Sequence, residues 1–277
     1  EVKIDQGLGS QKIGELLKNH GVIRSKWAFV TYVSLRGEFS QLKPGDYTFF
    51  ESSITEIARD LVAGEAREKS ITIPEGWSVA DIADYLEEEE IISAQDFKIS
   101  AKEHEGYLFP DTYRIYKDAK AEDIVAKMLE NFDKKLDSPL REEIARQEKT
   151  ISEIVTMASL IEKEVISEED RAVVSGILWK RIKAGIALQV AATIVYLTGK
   201  RSTKITREDL QIRSPYNTYL NRGLPVGPIS NPGLSAIKAA IYPKSSPYLY
   251  YLSAPDGRTI FSRTLEEHNE AKAKYLK

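Results

Sequence analysis

The chain has 277 residues, with 39 Lys and Arg against 42 Asp and Glu, a formal net charge of −3. That length makes one large domain or two smaller ones, either able to bury a sizeable core, and 42% hydrophobic with 29% charged residues excludes a disordered chain. The near-neutral balance argues against a nucleic-acid binder, and no apolar run approaches the roughly 20 residues needed to span a bilayer. Cysteine is absent, which removes a thiol nucleophile, a disulfide framework and Cys-ligated metal. The three histidines, His20, His104 and His268, are far apart, so neither a metal nor a cofactor is expected. The chain opens at Glu1 without an initiator Met, so it is expected to be a processed or trimmed product.

The first half carries an internal repeat. Val2 to Gly7 alternates like a short strand, and a helical pattern follows through Ile13, Leu16 and Leu17 to Gly21-Val22-Ile23. Shifted by 69 residues, the pattern recurs in Ile71 to Gly76, in Ile82, Tyr85 and Leu86, and in Ile91-Ile92. A closing strand is expected at Gly45 to Phe49 in one copy and at Gly106 to Phe109, before Pro110 to Tyr113, in the other. The unit reads as strand, helix, a second short helix, strand: a duplicated α+β fold or a pair of small ligand-binding modules. Ser53-Ile54-Thr55-Glu56 is a capping box for a helix to about Ala63, with Gly64 as its stop. The charged stretch Gly64 to Lys69 marks a boundary between residues 1–68 and 69–277, and Glu87 to Glu90 reads as a solvated acidic face.

Residues 118–148 read as charged and helical. Thr150-Ile151-Ser152-Glu153 caps a helix to about Glu164, and Ser167 to Asp170 caps another that ends near Gly185. After residue 214 the texture changes: seven of the eleven prolines lie between Pro215 and Pro255, among Asn and Gly. This is the composition of ordered loops, where binding groups tend to sit. A short helix from Ser235 to Ile241, strands at Tyr248–Leu252 and Thr259–Ser262, and a last helix from Leu265 to Tyr275 complete the chain.

On the Thr150 helix, steps of about 100° per residue put Ile154, Ala158, Ile161 and Val165 on one apolar face. Glu162 falls inside that face, while Lys163 and Glu164 do not. A carboxylate aimed at the core must be paired or protonated. Desolvation raises its pKa, which suits a general acid; the alternative is a buried Glu bonded to an Arg or to backbone amides. Glu105, just before Gly106 to Pro110, is a weaker acid candidate or a strand-edge surface residue. Tyr113, Tyr216, Tyr219 and Tyr248 either stack on sugar rings or pack.

Ala158-Ser159-Leu160-Ile161-Glu162-Lys163-Glu164 resembles the active-site helix of the endolytic murein transglycosylases, the YceG-like family. The likeness extends in order through Glu105 to Tyr113, Leu188-Gln189, Ser214 to Tyr219, Gly223 to Ile229, Asn231-Pro232-Gly233 and Glu267-His268-Asn269. It implies an α+β protein: a small LysM-like module at 1–68, then a mixed α+β catalytic domain at 69–277 that includes a second LysM-like repeat at about 69–115. It implies an enzyme on the extracytoplasmic face of the cytoplasmic membrane, anchored by a helix upstream of residue 1. Its partners are peptidoglycan glycan strands, cell-wall synthesis proteins are allowed, and nucleic acid is not.

The resemblance gives cleavage of the MurNAc-GlcNAc β-1,4 bond within nascent strands, leaving 1,6-anhydro ends. The family's catalytic glutamate maps onto Glu162, which acts as acid and then base, with no water consumed and no metal. Glu164, on the flank of the helix, is expected to matter far less. Gln189, Tyr216, Asn217, Tyr219 and Glu105 are the expected substrate-binding residues. Two positions depart from the family pattern: Ala191 replaces an Asp, and Thr259, in Gly257-Arg258-Thr259-Ile260-Phe261, stands where a His is frequent. The competing readings are a hydrolytic muramidase with Glu105 or Glu164 as second carboxylate, and a non-catalytic peptidoglycan-binding scaffold.

Overall fold

The computed structural model describes residues 2–47, 49, 52–64, 68–116 and 119–276. It is a mixed α+β structure with three two-stranded sheets among the described residues. The chain divides into two compact units: Glu1–Ile71 with Arg114–Asp118, and Thr72–Tyr113 with Ala119–Lys277. The first unit therefore takes back a short segment after residue 113, which a single boundary at 64–69 did not anticipate. Glu65 to Arg67 of that expected boundary, and Thr48 of an expected strand, lie outside the described residues.

The first unit opens with β1 (Val2–Ile4), α1 (Ser10–Asn19), α2 (Lys26–Leu35) and β2 (Gly45–Tyr47). β1 and β2 pair antiparallel with Val2 opposite Tyr47. α3 (Ile54–Ala63) follows, entered by the Ser53–Glu56 capping box and stopped at Gly64 in the left-handed conformation. Its core joins Ile13, Leu17, Phe29, Val33, Tyr47, Ile57 and Leu61, all nearly or fully buried.

The repeat is real in three dimensions. β3 (Glu68–Thr72), α4 (Val79–Glu88), α5 (Ala94–Ser100) and β4 (Thr112–Tyr116) reproduce the order strand, helix, helix, strand, and β3 pairs with β4. Gly7 and Gly76, 69 residues apart, both turn the chain at φ near +80°, where a side chain is disfavoured. Ile13 and Ile82, and Leu17 and Leu86, are buried equivalents. The second closing strand starts at Thr112, beyond Pro110, because Gly106 to Tyr107 form a turn at that point.

From Ala121 onward the chain is mostly helical: α6 (Ala121–Lys135), α7 (Ser138–Arg146), α8 (Ile151–Glu164), α9 (Glu168–Lys183), α10 (Ala191–Thr198), α11 (Leu234–Ile241) and α12 (Leu265–Tyr275). The Asp137 side chain caps α7, with Pro139 in its first turn, and this splits the charged stretch in two. β5 (Tyr250–Ser253) and β6 (Thr259–Ser262) form an antiparallel hairpin. No helix among the described residues is long and apolar enough to cross a membrane.

α8 is the centre of this unit. Ile154, Val155, Met157, Ala158, Ser159, Leu160 and Ile161 are all fully buried, and Thr156 nearly so. The helix is therefore enclosed on nearly every side. A one-faced amphipathic pattern, with a solvent flank, does not describe it.

Candidate active site

Two carboxylates leave the last turn of α8 in different directions. Glu162 is held by Arg171 from α9, whose Nη2 lies 2.6 Å from Oε1, and by the Gly233 amide, 3.0 Å from Oε2. The two side chains are only 5% and 8% exposed. Burial raises the Glu162 pKa, and the Arg171 charge works against that rise. Gly233 lets the Glu75 side chain lie close: a Cβ there would fall 1.7 Å from Glu75 Oε1, so that side chain would have to move. Of the two sequence alternatives, the surroundings of Glu162 match the glutamate bonded to an Arg and a backbone amide.

Glu164 sits about 80° from Ile154 on the opposite side of the wheel, beside Met157 and Leu160, both fully buried. That flank is a second interior face, and this corrects the expectation that Glu164 points away from the protein. Its Oε1 accepts from the Ala192 amide at 3.3 Å and its Oε2 from the Tyr251 hydroxyl at 3.4 Å. No ion-pair partner is found for it among the described residues. Burial pushes its pKa up, opposed only by those two hydrogen bonds. Ala192 is in the first turn of α10, so an anion at Glu164 would meet the positive end of a helix.

The expected sugar-contacting residues divide. Tyr219 lies near Glu164, whose charge, after burial, raises its pKa. Gln189 is exposed, with a left-handed φ of +52° that is uncommon outside glycine. Its amide donates to Thr218 O and its Oε1 accepts from Arg181. Tyr216 is half-buried against Tyr196, ring centroids 5.1 Å apart.

Asn217 is fully buried and engaged by the protein. Its Nδ2 donates to Leu210 O and Ile212 O, and its Oδ1 accepts from the Tyr219 amide. Its side chain is thus held by the backbone of the 210–219 loop, which it shapes. The Glu105 carboxylate is likewise held by groups of the protein. It accepts from the Val79 amide at 3.1 Å, Asn231 Nδ2 at 3.3 Å and Tyr196 Oη at 3.5 Å. Burial, ahead of all other influences, pushes it to about 7. Tyr113 donates to Phe109 O, and Tyr248 stacks on Phe261, so both pack.

Sequence reasoning missed Tyr251, Arg181 and Asn231. Asn231 is fully buried and ties three loops: it donates to Trp77 O, accepts from the Leu108 amide, and its backbone accepts from the Gly76 amide. The Asn-Pro-Gly run around it was a visible signal. Among the described residues no cluster of His, Asp or Glu has the makings of a metal site.

A profile of the YceG-like family matches residues 2–274. The chain belongs to that family. A Bacillus subtilis protein named endolytic murein transglycosylase is 32% identical over 99% of this chain and 84% of its own length. A Streptococcus pneumoniae protein of the same name is 29% identical over 99% of this chain, which spans 58% of that longer relative. A crystal structure of a YceG-like protein from Listeria monocytogenes is 31% identical, covers 98% of each chain and superposes with a TM-score of 0.69.

Proposed function

We infer that this chain is a lytic transglycosylase acting on the glycan strands of peptidoglycan, with Glu164 as the group that moves the proton. The family and the names of its relatives support the reaction class. The single observation that carries the choice of residue is the contrast between the two carboxylates. Burial raises the pKa of both, but Glu162 is ion-paired with Arg171, whereas Glu164 has only two hydrogen bonds from neutral groups and no ion pair among the described residues. This revises the assignment to Glu162 that the resemblance suggested.

In the ground state, burial pushes Glu164 toward the protonated form that a general acid needs. It gives its proton to the glycosidic oxygen between MurNAc and GlcNAc as the C1–O bond breaks. The new carboxylate is met by the Ala192 amide, the α10 N-terminus and the Tyr251 hydroxyl. It then takes the proton of the muramoyl C6 hydroxyl as that oxygen attacks C1. The 1,6-anhydro ring closes, no water is consumed, and Glu164 returns protonated. One group serves as acid and as base, so the two-carboxylate arrangement of hydrolases is unnecessary. Tyr219 lies near the acid; it, Tyr216 and Gln189 are the candidate sugar contacts, and the two strand-helix-helix-strand units read as LysM-like glycan-binding modules. The substrate places the enzyme on the extracytoplasmic side of the membrane.

The test is release of anhydro-muropeptides by Glu164→Gln and Glu162→Gln. General acid–base groups contribute about 10²–10⁴-fold, so Glu164→Gln should lose at least that much. Glu162→Gln should retain activity in proportion to the folded fraction. Full activity in the Glu164 variant would overturn the assignment.

A further inference from the structure

Arg181, near the C-terminal end of α9, is a buried cation that the mechanism does not use. It is 6% exposed, and among the described residues no carboxylate lies within ion-pair distance of it. Burial pulls its pKa down, partly offset by the tyrosines around it. Its Nη2 donates to Ala187 O at 2.7 Å and to Gln189 Oε1 at 3.3 Å, but its Nε is buried without a partner. A guanidinium offers five donors in one plane, and a buried charge left uncompensated is expensive.

The surroundings are those of the acid. Tyr219 and Tyr251 both feel the charge of Glu164 and the charge of Arg181, so the two groups flank the same pair of phenols. The guanidinium lies 5.6 Å from the Tyr250 ring centroid. His268 stacks on that ring at 5.3 Å. Its Nδ1 is a second buried nitrogen without a partner, and burial, then Lys272 and Arg181, lower its pKa. Two buried nitrogens without partners thus belong to side chains that both lie against the Tyr250 ring, and one of those side chains, Arg181, also bonds the exposed Gln189.

We propose that Arg181, with His268 on the Tyr250 ring, forms a subsite for a carboxylate of the substrate, and so determines specificity for charged glycan strands. The proposal rests on the reading of Glu164 and its neighbours as the active site. A planar carboxylate matches the fork of a guanidinium, and would supply the counter-charge that the protein does not. Peptidoglycan offers this chemistry from two sources: the lactyl carboxylate of peptide-free muramoyl residues, and the carboxylates of the stem peptide.

The experiment crosses the residue with the substrate charge. The full chain, Arg181→Gln and Arg181→Lys are assayed on intact strands, on amidase-stripped strands, and on strands whose carboxylates have been converted to amides. A charge-assisted hydrogen bond of this kind corresponds to about ten- to hundredfold in KM. The wild type should lose that factor on amidated strands. Arg181→Gln should show the raised KM on every strand and no longer distinguish them, and Arg181→Lys should recover part of the difference. Better use of stripped strands identifies the lactyl carboxylate; better use of intact strands identifies the peptide. An equal loss on all strands by Arg181→Gln, with wild-type discrimination retained, would show that Arg181 only braces the 186–190 turn and would overturn the proposal. Equal use of charged and amidated strands by the wild type would also overturn it. Should no variant cleave any strand, the reading of the enzyme fails. Co-sedimentation with the same three strands then decides the subsite separately: charge discrimination lost in Arg181→Gln supports it, and its absence in the wild type refutes it.

Discussion

Glu162→Gln separates a structural carboxylate from a chemical one. The substitution keeps the shape and an oxygen for the Gly233 amide, 3.0 Å away, but removes the charge that faces Arg171 at 2.6 Å. Breaking a buried pair from one side costs about 3–5 kcal/mol, because the other charge stays buried alone. Here the loss is smaller, since Arg171 keeps Val165 O at 3.2 Å and Glu75 at 3.9 Å. About 2 kcal/mol is the expected figure, a change of roughly thirtyfold in the folded-to-unfolded ratio. Urea unfolding followed by the fluorescence of Trp77 and Trp179, both in the second unit, reads it directly. The variant should unfold at lower urea yet release anhydro-muropeptides at a substantial rate under conditions where it is folded. Unchanged stability together with abolished activity would refute the reasoning and return the proton-transfer role to Glu162.

Other substitutions probe the same unit. Glu105 is pushed from 4.5 to about 7 by burial. Its stabilising contribution as a neutral acid is present below pH 4.5 and is lost as pH rises through 7. At about 1.36 kcal/mol per pH unit that is at most about 3 kcal/mol. Glu105→Gln should remove this slope, so the wild type should lose more stability than the variant between pH 5 and pH 8; parallel thermal-melting curves would contradict it. Ala191→Asp restores the family's acid at the first residue of α10, next to the Ala192 amide that meets Glu164. The added negative charge should raise the Glu164 pKa further and move the pH-activity profile upward, and a downward shift would argue against Glu164 as the titrating group.

The fold was legible where local chemistry decides it. The capping boxes at Ser53 and Thr150 set helix starts to the residue, and the 69-residue repeat emerged with its strands and helices in order. The site was half legible. The last turn of the α8 motif pointed to the right few residues, but choosing between Glu162 and Glu164 needed to know that α8 is enclosed on both flanks. A helical wheel assumes one buried face, and the enclosure comes from α9, α10, α11 and the 228–233 loop, which no local pattern reveals. Arg171 is nine residues from Glu162, on the next helix, and Tyr251 is 87 residues from Glu164. Likewise Glu105 looked available because its partners, Val79, Asn231 and Tyr196, come from distant parts of the chain, and Asn217 because the curl of its own 210–219 loop leaves no periodic mark in the sequence.

The central claim, that a protonated Glu164 drives an intramolecular cleavage, is tested most directly by the chemistry of the products. Purified peptidoglycan strands are cleaved by the full chain in water enriched in heavy oxygen, and the fragments are weighed by mass spectrometry. The account predicts fragments one water lighter than their hydrolysed counterparts, with no heavy oxygen at the new ends, and none of these fragments from Glu164→Gln. Reducing ends carrying heavy oxygen would show that water is the nucleophile, and would contradict the account.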